Sequence, residues 1–251
     1  MIHFVGAGPG APDLITLRGS KLLSEAGMII YAGSLVNPEL LKLAPKGCEI
    51  YNSASMTLDE VIDKMTSAYA RGLDIVRLHT GDPSIYGAIR EQIDRLKKLN
   101  IPYDITPGVS SFCAAAAAAE AEYTLPSISQ TLIITRMEGR TPVPPKEKLA
   151  LLAAHQASMA LFLSSGLMEK TCAALIEGGY PSDTPAVVVY KASWPEQKIL
   201  RGTIATIAAM AEKEGIHNTA LILVGRFLGD EYELSKLYDA GFSHGFRKAT
   251  R

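Results

Sequence analysis

Three glycines follow the first apolar strand in the sequence HFVGAGPGAPDLITLRG, at Gly6, Gly8 and Gly10. A strand, a glycine-rich loop and a helix in that order often bind nucleotide phosphates. Here the glycine spacing is one residue tighter than in a dinucleotide-binding fingerprint, and Pro9 removes an amide donor from the loop. The next strand ends in IIYAGS, with no carboxylate for a ribose hydroxyl, and no Gly-Lys-Ser or Gly-Lys-Thr follows. The loop is therefore a weak candidate for a phosphate site.

Two more loops place polar residues after short apolar strands. In TGDPSIYG (80–87), Asp82 either caps the following helix or accepts hydrogen bonds from a ligand. In TPGVSS (106–111), Ser110 and Ser111 are likewise either a helix cap or ligand contacts. Carboxyl ends of parallel strands lie at one edge of a sheet, so the sequence predicts a composite pocket from these loops.

Composition limits the possible partners. The chain has 251 residues, 47% of them hydrophobic, and a net charge of −1, which gives no general attraction to nucleic acid or an anionic membrane. No apolar run approaches the roughly 20 residues of a membrane span, and MIHFVGAG lacks the features of a signal peptide. Cys48, Cys113 and Cys172 are far apart and form no C-x-x-C motif, which predicts buried free thiols in the cytoplasm. Neither the cysteine nor the histidine spacing indicates a metal site.

Alternating strand and helix patterns predict an α/β protein with two domains, 1–120 and 121–251, joined near a polar segment at 121–130. In the first domain the predicted strands are 2–5, 28–31, 74–79 and 103–105, and the helices 16–26, 57–71, 86–98 and 109–120. In the second the strands are 131–136, 158–164, 186–192, 198–204 and 220–225, and the helices 146–154, 167–178 and 205–214.

The two predicted sheets differ in character. The first should be largely parallel, because a helix separates its strands. The second should be mixed, because strands 186–192 and 198–204 form a hairpin across SWPEQ. The tail, 231–251, is predicted to be mostly irregular.

At the level of motifs the chain resembles the tetrapyrrole (corrin/porphyrin) methylases. The resemblance rests on VGAGPGAPDLITLRG, RLHTGDPSIYGAIREQ, PGVSSFCAAAA, SQTLIITRMEGRTPVP, ALFLSS, VVVYKASWPEQKILRGT and TALILVG, in this order. It implies two α/β domains with S-adenosylmethionine bound in a cleft between them, methylation of a tetrapyrrole carbon, and a homodimer. The segments YAGSLVNPELL, TRMEGRTPVP, YKASWPEQ and SKLYDAGFSHGFRK point to one branch of this family.

The resemblance also implies a set of cofactor contacts, many of them through the backbone. They are Pro9, Thr80, Gly81, Asp82, Ile85, Ser110, Ser111, Leu163, Ala192, Thr219 and Ala220. The loop with Pro9 would border the place where cofactor and tetrapyrrole meet. A bulky residue at Gly8 should therefore block the substrate and leave the fold intact.

No catalytic base is implied. Relatives that methylate uroporphyrinogen carry an Asp proposed as a base where this chain has Ala32. The substrate's acid groups would need cations, for which Arg90, Arg136, Arg140 and Lys191 are candidates; each is otherwise a solvated surface charge. Whether the substrate carries cobalt stays open.

Two other hypotheses remain. The chain could be a methylase of the same fold that acts on another precorrin position or on a protein side chain, as in diphthamide synthesis. It could also be a non-catalytic or redox nucleotide-binding module, which would bind NAD in place of S-adenosylhomocysteine.

Overall fold

The computed structural model describes residues 1–250 and contains two compact units, each built on a five-stranded sheet. Unit 1 comprises Met1–Ala114 and Lys191–Gln197, and unit 2 comprises Ala115–Tyr190 and the residues from Lys198 onward. One sheet is parallel and the other mixed, so the predicted α/β class is confirmed. The domain bounds 1–120 and 121–251 stay a prediction, because compact packing alone does not test independent folding.

The sheet of unit 1 is fully parallel, with strand order β3-β2-β4-β1-β5. Its strands are β1 (Ile2–Gly6), β2 (Met28–Tyr31), β3 (Glu49–Asn52), β4 (Ile75–His79) and β5 (Tyr103–Thr106). The central strands β1 and β4 are buried along their whole length, as expected for strands covered on both faces. Strand β3 was not predicted, since it is a four-residue edge strand with alternating exposed side chains and little apolar signal.

The helices of unit 1 begin where local signals favour them. They are α1 (Leu17–Glu25), α2 (Leu58–Ala70) and α3 (Ile89–Lys98), and α4 (Ser111–Ala118) starts at the end of the unit. Thr57 and Glu60 form a capping box on α2, in which the Thr57 amide donates to the Glu60 carboxylate at 2.6 Å. Helix α3 begins three residues later than predicted, because Tyr86 and Ala88 have φ values of 55° and 49°, which a helix cannot contain.

The sheet of unit 2 is mixed, with strand order β6-β7-β10-β8-β9. Its strands are β6 (Leu132–Arg136), β7 (Ser158–Phe162), β8 (Pro185–Tyr190), β9 (Lys198–Thr203) and β10 (Ala220–Val224), and its helices are α5 (Leu149–Ala153), α6 (Met168–Glu177) and α7 (Ile207–Lys213). Only β6 and β7 pair in parallel. The predicted hairpin is confirmed, with Tyr190 paired to Lys198 in antiparallel β8 and β9. Up to residue 250 the tail from 231 holds one short 3-10 turn.

The cysteine prediction is partly wrong. Cys172 is buried on α6, but Cys48 is half-buried and Cys113 is exposed on α4. Among residues 1–250, no three or more histidine, cysteine or acidic side chains are grouped so that they could hold a metal ion. In the same residues, none of the helices has the length and apolar character to cross a membrane.

Candidate functional site

Three loops meet at the carboxyl edge of the unit 1 sheet. The first loop (7–11) follows β1, the second loop (80–84) follows β4, and the third loop (107–110) follows β5. Their strands are neighbours in the sheet, with β1 between β4 and β5, so the parallel topology brings the three loops together. The sequence-based prediction that these loops share one edge is confirmed.

Glycines allow these loop backbones to touch. A Cβ atom on Gly6 would lie 2.6 Å from the Cα of Gly108, and one on Gly108 would lie 2.1 Å from the carbonyl oxygen of Gly81. Gly8 and Gly81 exchange two backbone hydrogen bonds, at 3.2 and 2.9 Å. Gly6 and Gly108 therefore leave no room for a side chain, which is why glycine is needed at these two close approaches.

Gly8 does not behave as expected. It is buried with φ of 80°, and a Cβ atom there would lie 2.9 Å from the carbonyl oxygen of Leu14. A bulky substitution would therefore disturb the fold itself. The expectation that such a change leaves the fold intact is wrong, because steric conflict comes from the backbone of the same unit.

The first loop offers few free donors to a phosphate. The amides of Ala7, Gly8 and Ala11 all donate to oxygen atoms of the protein, at 2.7, 3.2 and 3.0 Å. Pro9 has no amide hydrogen. The loop is thus a closed structural turn, unlike an anion-binding nest whose amides point outward.

The connecting segment Lys191–Gln197 holds the first loop from the outside. The indole Nε1 of Trp194 donates to the carbonyl oxygen of Pro9 at 3.1 Å, and the Ser193 hydroxyl accepts from the Ala11 amide. The ring of Trp194 takes the place that a side chain on Gly10 would fill, since a Cβ atom there would lie 2.1 Å from Cδ1. The segment therefore fixes both the backbone path and the polar groups of the first loop.

Lys191 and Ala192 lie at the start of this segment. Lys191 is half-buried with φ of 46°, and its ammonium lies 3.7 Å from the Glu196 carboxylate and 5.3 Å from the centre of the Trp194 ring. Ala192 is buried. Lys191 is thus part of a local cluster of charge and aromatic surface.

Asp82 joins the second and third loops. One carboxylate oxygen accepts from the amide of Ser84 at 2.8 Å and from its hydroxyl, and the other accepts from the Gly108 amide at 2.9 Å. Burial raises the pKa of Asp82, but these hydrogen bonds outweigh it, so the pKa lies below its ordinary value. Asp82 does not cap α3, which begins at Ile89. Its contacts are those of a brace between loops.

The other predicted residues of unit 1 differ in position. Thr80 and Ile85 are half-buried, Ser110 is buried, and Ser111 is the first residue of α4. Arg90 is exposed on α3 and forms an ion pair with Asp94, one turn further along the helix, at 3.0 Å. Its position is that of a surface cation.

Beneath the second loop lies a buried polar pair on β4. Arg77 is 6% exposed and donates to the Gln92 side chain and to the carbonyl of Ile30, both at 3.1 Å. His79 is 3% exposed, stacks on Phe4, and has no hydrogen-bond partner for Nε2 within residues 1–250. Burial, and then the charge of Arg77, lower the pKa of His79 to about 3, so the imidazole is neutral.

Unit 2 brings a second group of predicted residues to one edge of its sheet. Ile222 of β10 pairs with Leu161 of antiparallel β7, and Ala220, the first residue of β10, pairs with Tyr190 of β8. Leu163 and Thr219 both have φ of 51°, which turns the backbone after β7 and before β10. Leu163, Thr219 and Ala220 thus lie at the same edge of the sheet.

An open cavity of about 1160 Å³ lies at this end of unit 2. It is lined by Arg136, residues 137–142, Leu163, residues 166–167 and Lys170. It therefore combines apolar surface with three cationic side chains. Sequence reasoning missed Lys170 as a cavity-lining residue. Its one sequence signal is its place in the first turn of α6, the helix that follows β7.

The sequence matches a known protein family. Residues 1–208 match the sequence model of the Tetrapyrrole (Corrin/Porphyrin) Methylases. The cobalt-precorrin-4 C(11)-methyltransferase of Methanocaldococcus jannaschii is 58% identical over 249 residues, which cover 99% of this chain and 96% of that protein. The chain belongs to the tetrapyrrole methylases, and it is a methyltransferase.

Solved structures show the same fold. A cobalt precorrin-4 methyltransferase of cobalamin biosynthesis superposes with a TM-score of 0.89 at 48% identity, over 91% of this chain and 96% of that one. The uroporphyrin-III C-methyl transferase of Thermus thermophilus, complexed with S-adenyl homocysteine, has a TM-score of 0.72 at 24% identity, over 90% and 92% of the two chains. At that identity the second likeness is one of fold.

Proposed function

We propose that this methyltransferase transfers a methyl group from S-adenosylmethionine to C-11 of cobalt-precorrin-4, or of metal-free precorrin-4, giving the corresponding precorrin-5 in cobalamin biosynthesis. The observation that carries the proposal is the 58% identity to the Methanocaldococcus enzyme over 99% of the chain. That match takes in the loops of unit 1 and the cavity of unit 2. A homodimer in the cytoplasm belongs to the same proposal and rests on the family resemblance.

The residues present suit an adenosyl sulfonium ligand better than a dinucleotide. Three amides of the first loop are already bonded within the protein, and Pro9 has none, so a pyrophosphate would find no cradle there. S-adenosylmethionine has no phosphate. At the unit 2 edge, Leu163 is 65% exposed and offers an apolar surface for a flat ring. The fold is also one in which a Thermus protein was solved with S-adenyl homocysteine.

The cofactor contacts remain those predicted from the resemblance, with one change of role. Asp82 would act by holding the second and third loops in place, since its oxygens already accept three hydrogen bonds from Ser84 and Gly108. The other contacts would be made by Pro9, Thr80, Gly81, Ile85, Ser110, Ser111, Leu163, Ala192, Thr219 and Ala220. Many of these contacts would be made by backbone groups, which recognise a ligand without a special side chain.

The protein's contribution to the chemistry would be alignment. S-adenosylmethionine, when bound, supplies an electrophilic methyl group on a cationic sulfur. A pyrrole-derived ring carbon is already nucleophilic, so no general base is required, in keeping with Ala32 at the position of the relatives' proposed base. Holding two reactants in line can lower a barrier by roughly 7–11 kcal/mol. The substrate's acid groups would be bound by cations, for which Arg90, Arg140 and Lys191 remain candidates. Arg136, also predicted for this role, already donates to the carbonyl oxygens of Thr141 and Pro142.

The test is product analysis with the purified protein. Incubation with S-adenosylmethionine carrying an isotopically labelled methyl group, and with cobalt or metal-free precorrin-4, should add one methyl to the macrocycle. Mass spectrometry shows the added methyl, and NMR places it at C-11. The proposal would be contradicted if the methyl group were added to another ring carbon, or if neither macrocycle were methylated. Equilibrium binding of NAD in place of S-adenosylhomocysteine would favour the nucleotide-binding hypothesis.

A further inference from the structure

Arg136, the last residue of β6, uses its guanidinium to hold the loop that follows. It donates to the carbonyl oxygens of Thr141 at 3.2 Å and Pro142 at 2.8 Å. Since a planar guanidinium offers several donors in fixed directions, two such bonds close the loop 137–142 on its own strand. Arg136 is thus occupied with backbone oxygens, although the sequence suggested that it binds substrate.

Other contacts make the same loop rigid. The amide of Met137 donates to the Ser164 hydroxyl at 2.8 Å, and the Gly139 amide donates to Thr141 at 3.3 Å. Leu167 packs so closely that a Cβ atom on Gly139 would lie 3.2 Å from its Cδ1. A loop fixed in this way presents its side chains with little entropy left to lose on binding.

Arg140 in this loop and Lys170 on α6 both line the cavity. Each is exposed, and within residues 1–250 neither takes part in an ion pair. They come from different elements, so their shared position is a result of the fold. With Arg136 they make three cations around the cavity against one carboxylate, Glu138. An anionic ligand is the partner that this charge pattern fits.

We propose that this cavity is a carboxylate subsite for an acid side chain of the macrocycle. Arg140 and Lys170 bind the carboxylate, and Arg136 is a positioning residue that holds the loop of Arg140. The inference rests on the proposed function and deepens it. The cavity volume of about 1160 Å³ lies slightly above the range of roughly 300–1,000 Å³ that is typical of small-molecule sites, and suits a ligand larger than a nucleoside.

The test compares Arg140→Gln, Lys170→Gln and Arg136→Lys with a control, Lys213→Gln, which removes an exposed lysine from α7 in the same unit. Steady-state rates give the KM for the macrocycle and for S-adenosylmethionine separately. Equilibrium binding is measured for the macrocycle with free acid groups and for the same macrocycle with its acids esterified.

Arg140→Gln and Lys170→Gln, which each remove one proposed carboxylate contact, should raise the KM for the macrocycle about five-fold. They should change kcat and the KM for S-adenosylmethionine little. Both variants should also lose part of the preference for the acid over the ester, whereas Lys213→Gln keeps it. Arg136→Lys keeps the charge but cannot make both loop bonds. It should raise the same KM and speed amide exchange in residues 137–142.

A wild-type preference for acid over ester in both Arg140→Gln and Lys170→Gln would overturn the subsite. A wild-type KM for the macrocycle in Arg136→Lys, with unchanged amide exchange in residues 137–142, would overturn the positioning role and show that Arg136 acts by its charge. If the wild-type protein methylates neither macrocycle, the proposed function has failed instead, and that result is seen without any variant.

Discussion

At the scale of single residues, charged side chains near the candidate sites act largely on the protein's own backbone. Asp82 accepts hydrogen bonds from two loops, and Arg136 donates to the loop that follows β6. Both were predicted from sequence as ligand contacts. Their residue types and positions suit ligand binding, but in the structure both side chains form hydrogen bonds with the backbone of nearby loops. The proposed methyl transfer, from a sulfonium to a nucleophilic carbon, depends more on well-placed loops than on charged catalytic side chains.

Asp82→Ala should weaken the binding of S-adenosylhomocysteine about ten-fold, an effect of ~1.4 kcal/mol, because the second and third loops lose their brace. Asp82→Asn should weaken binding less, since its one oxygen can still accept from either Ser84 or Gly108 but its amide nitrogen cannot accept from the other. Isothermal calorimetry measures both. Asp94→Asn, which removes a carboxylate from α3, is the matched control and should bind normally. Normal affinity in Asp82→Ala would rule out the bracing role.

At the scale of elements, the segment between β8 and β9 does more than connect a hairpin. The strands β8 and β9 belong to unit 2, but the segment Lys191–Gln197 between them packs within unit 1. Ser193 and Trp194 of this segment form hydrogen bonds with the first loop. The shape of the glycine loop therefore depends on residues about 185 positions away. A local motif search cannot detect such support.

Trp194→Phe keeps most of the ring but removes the indole N–H that donates to Pro9. We expect a loss of about 1 kcal/mol in unfolding free energy and faster amide exchange in residues 7–11. Ser193→Ala removes the hydroxyl that accepts a hydrogen bond from the Ala11 amide, and should also speed amide exchange in residues 7–11. Hydrogen-exchange mass spectrometry compares the two variants with the wild type. Unchanged exchange in both would show that the first loop holds its shape alone.

At the scale of the whole molecule, unit 1 carries an electrostatic cost in its core. His79 is buried next to the buried cation Arg77, and its pKa is lowered to about 3 from an ordinary value of 6.5. Between these two values the unfolded chain binds a proton that the folded chain does not. Stability should therefore fall as the pH drops below about 6.5.

His79→Leu should reduce this acid sensitivity. The variant takes up one proton fewer than the wild type when it unfolds between pH 4 and 6. The slope of its unfolding free energy against pH is therefore lower by up to about 1.4 kcal/mol per pH unit. Urea denaturation at a series of pH values measures the slope. Phe4→Leu, which alters packing beside the same ring, should lower stability similarly at every pH. An unaltered slope in His79→Leu would show that the imidazole protonates freely in the folded protein.

The amino-acid sequence alone determined the α/β class, the mixed second sheet and most of the strands and helices. These features follow from local apolar periodicity, from turn residues, and from the hairpin across SWPEQ. The capping box at Thr57 and the apolar runs of β1 and β4 are examples of signals that need no knowledge of distant contacts. The exposed edge strand β3 and the late start of α3 were missed, since they depend on pairing and backbone strain.

Only the tertiary structure decided what the candidate residues touch. Leu163, Thr219 and Ala220 share one sheet edge because β7 and β10 pair antiparallel, and Arg140 and Lys170 line one cavity from different elements. Gly8 is packed against the backbone near Leu14, and Trp194 completes the first loop from far along the chain. The physical reason is the same in each case: residue type limits which bonds a side chain can make, but long-range packing determines which partner lies within reach.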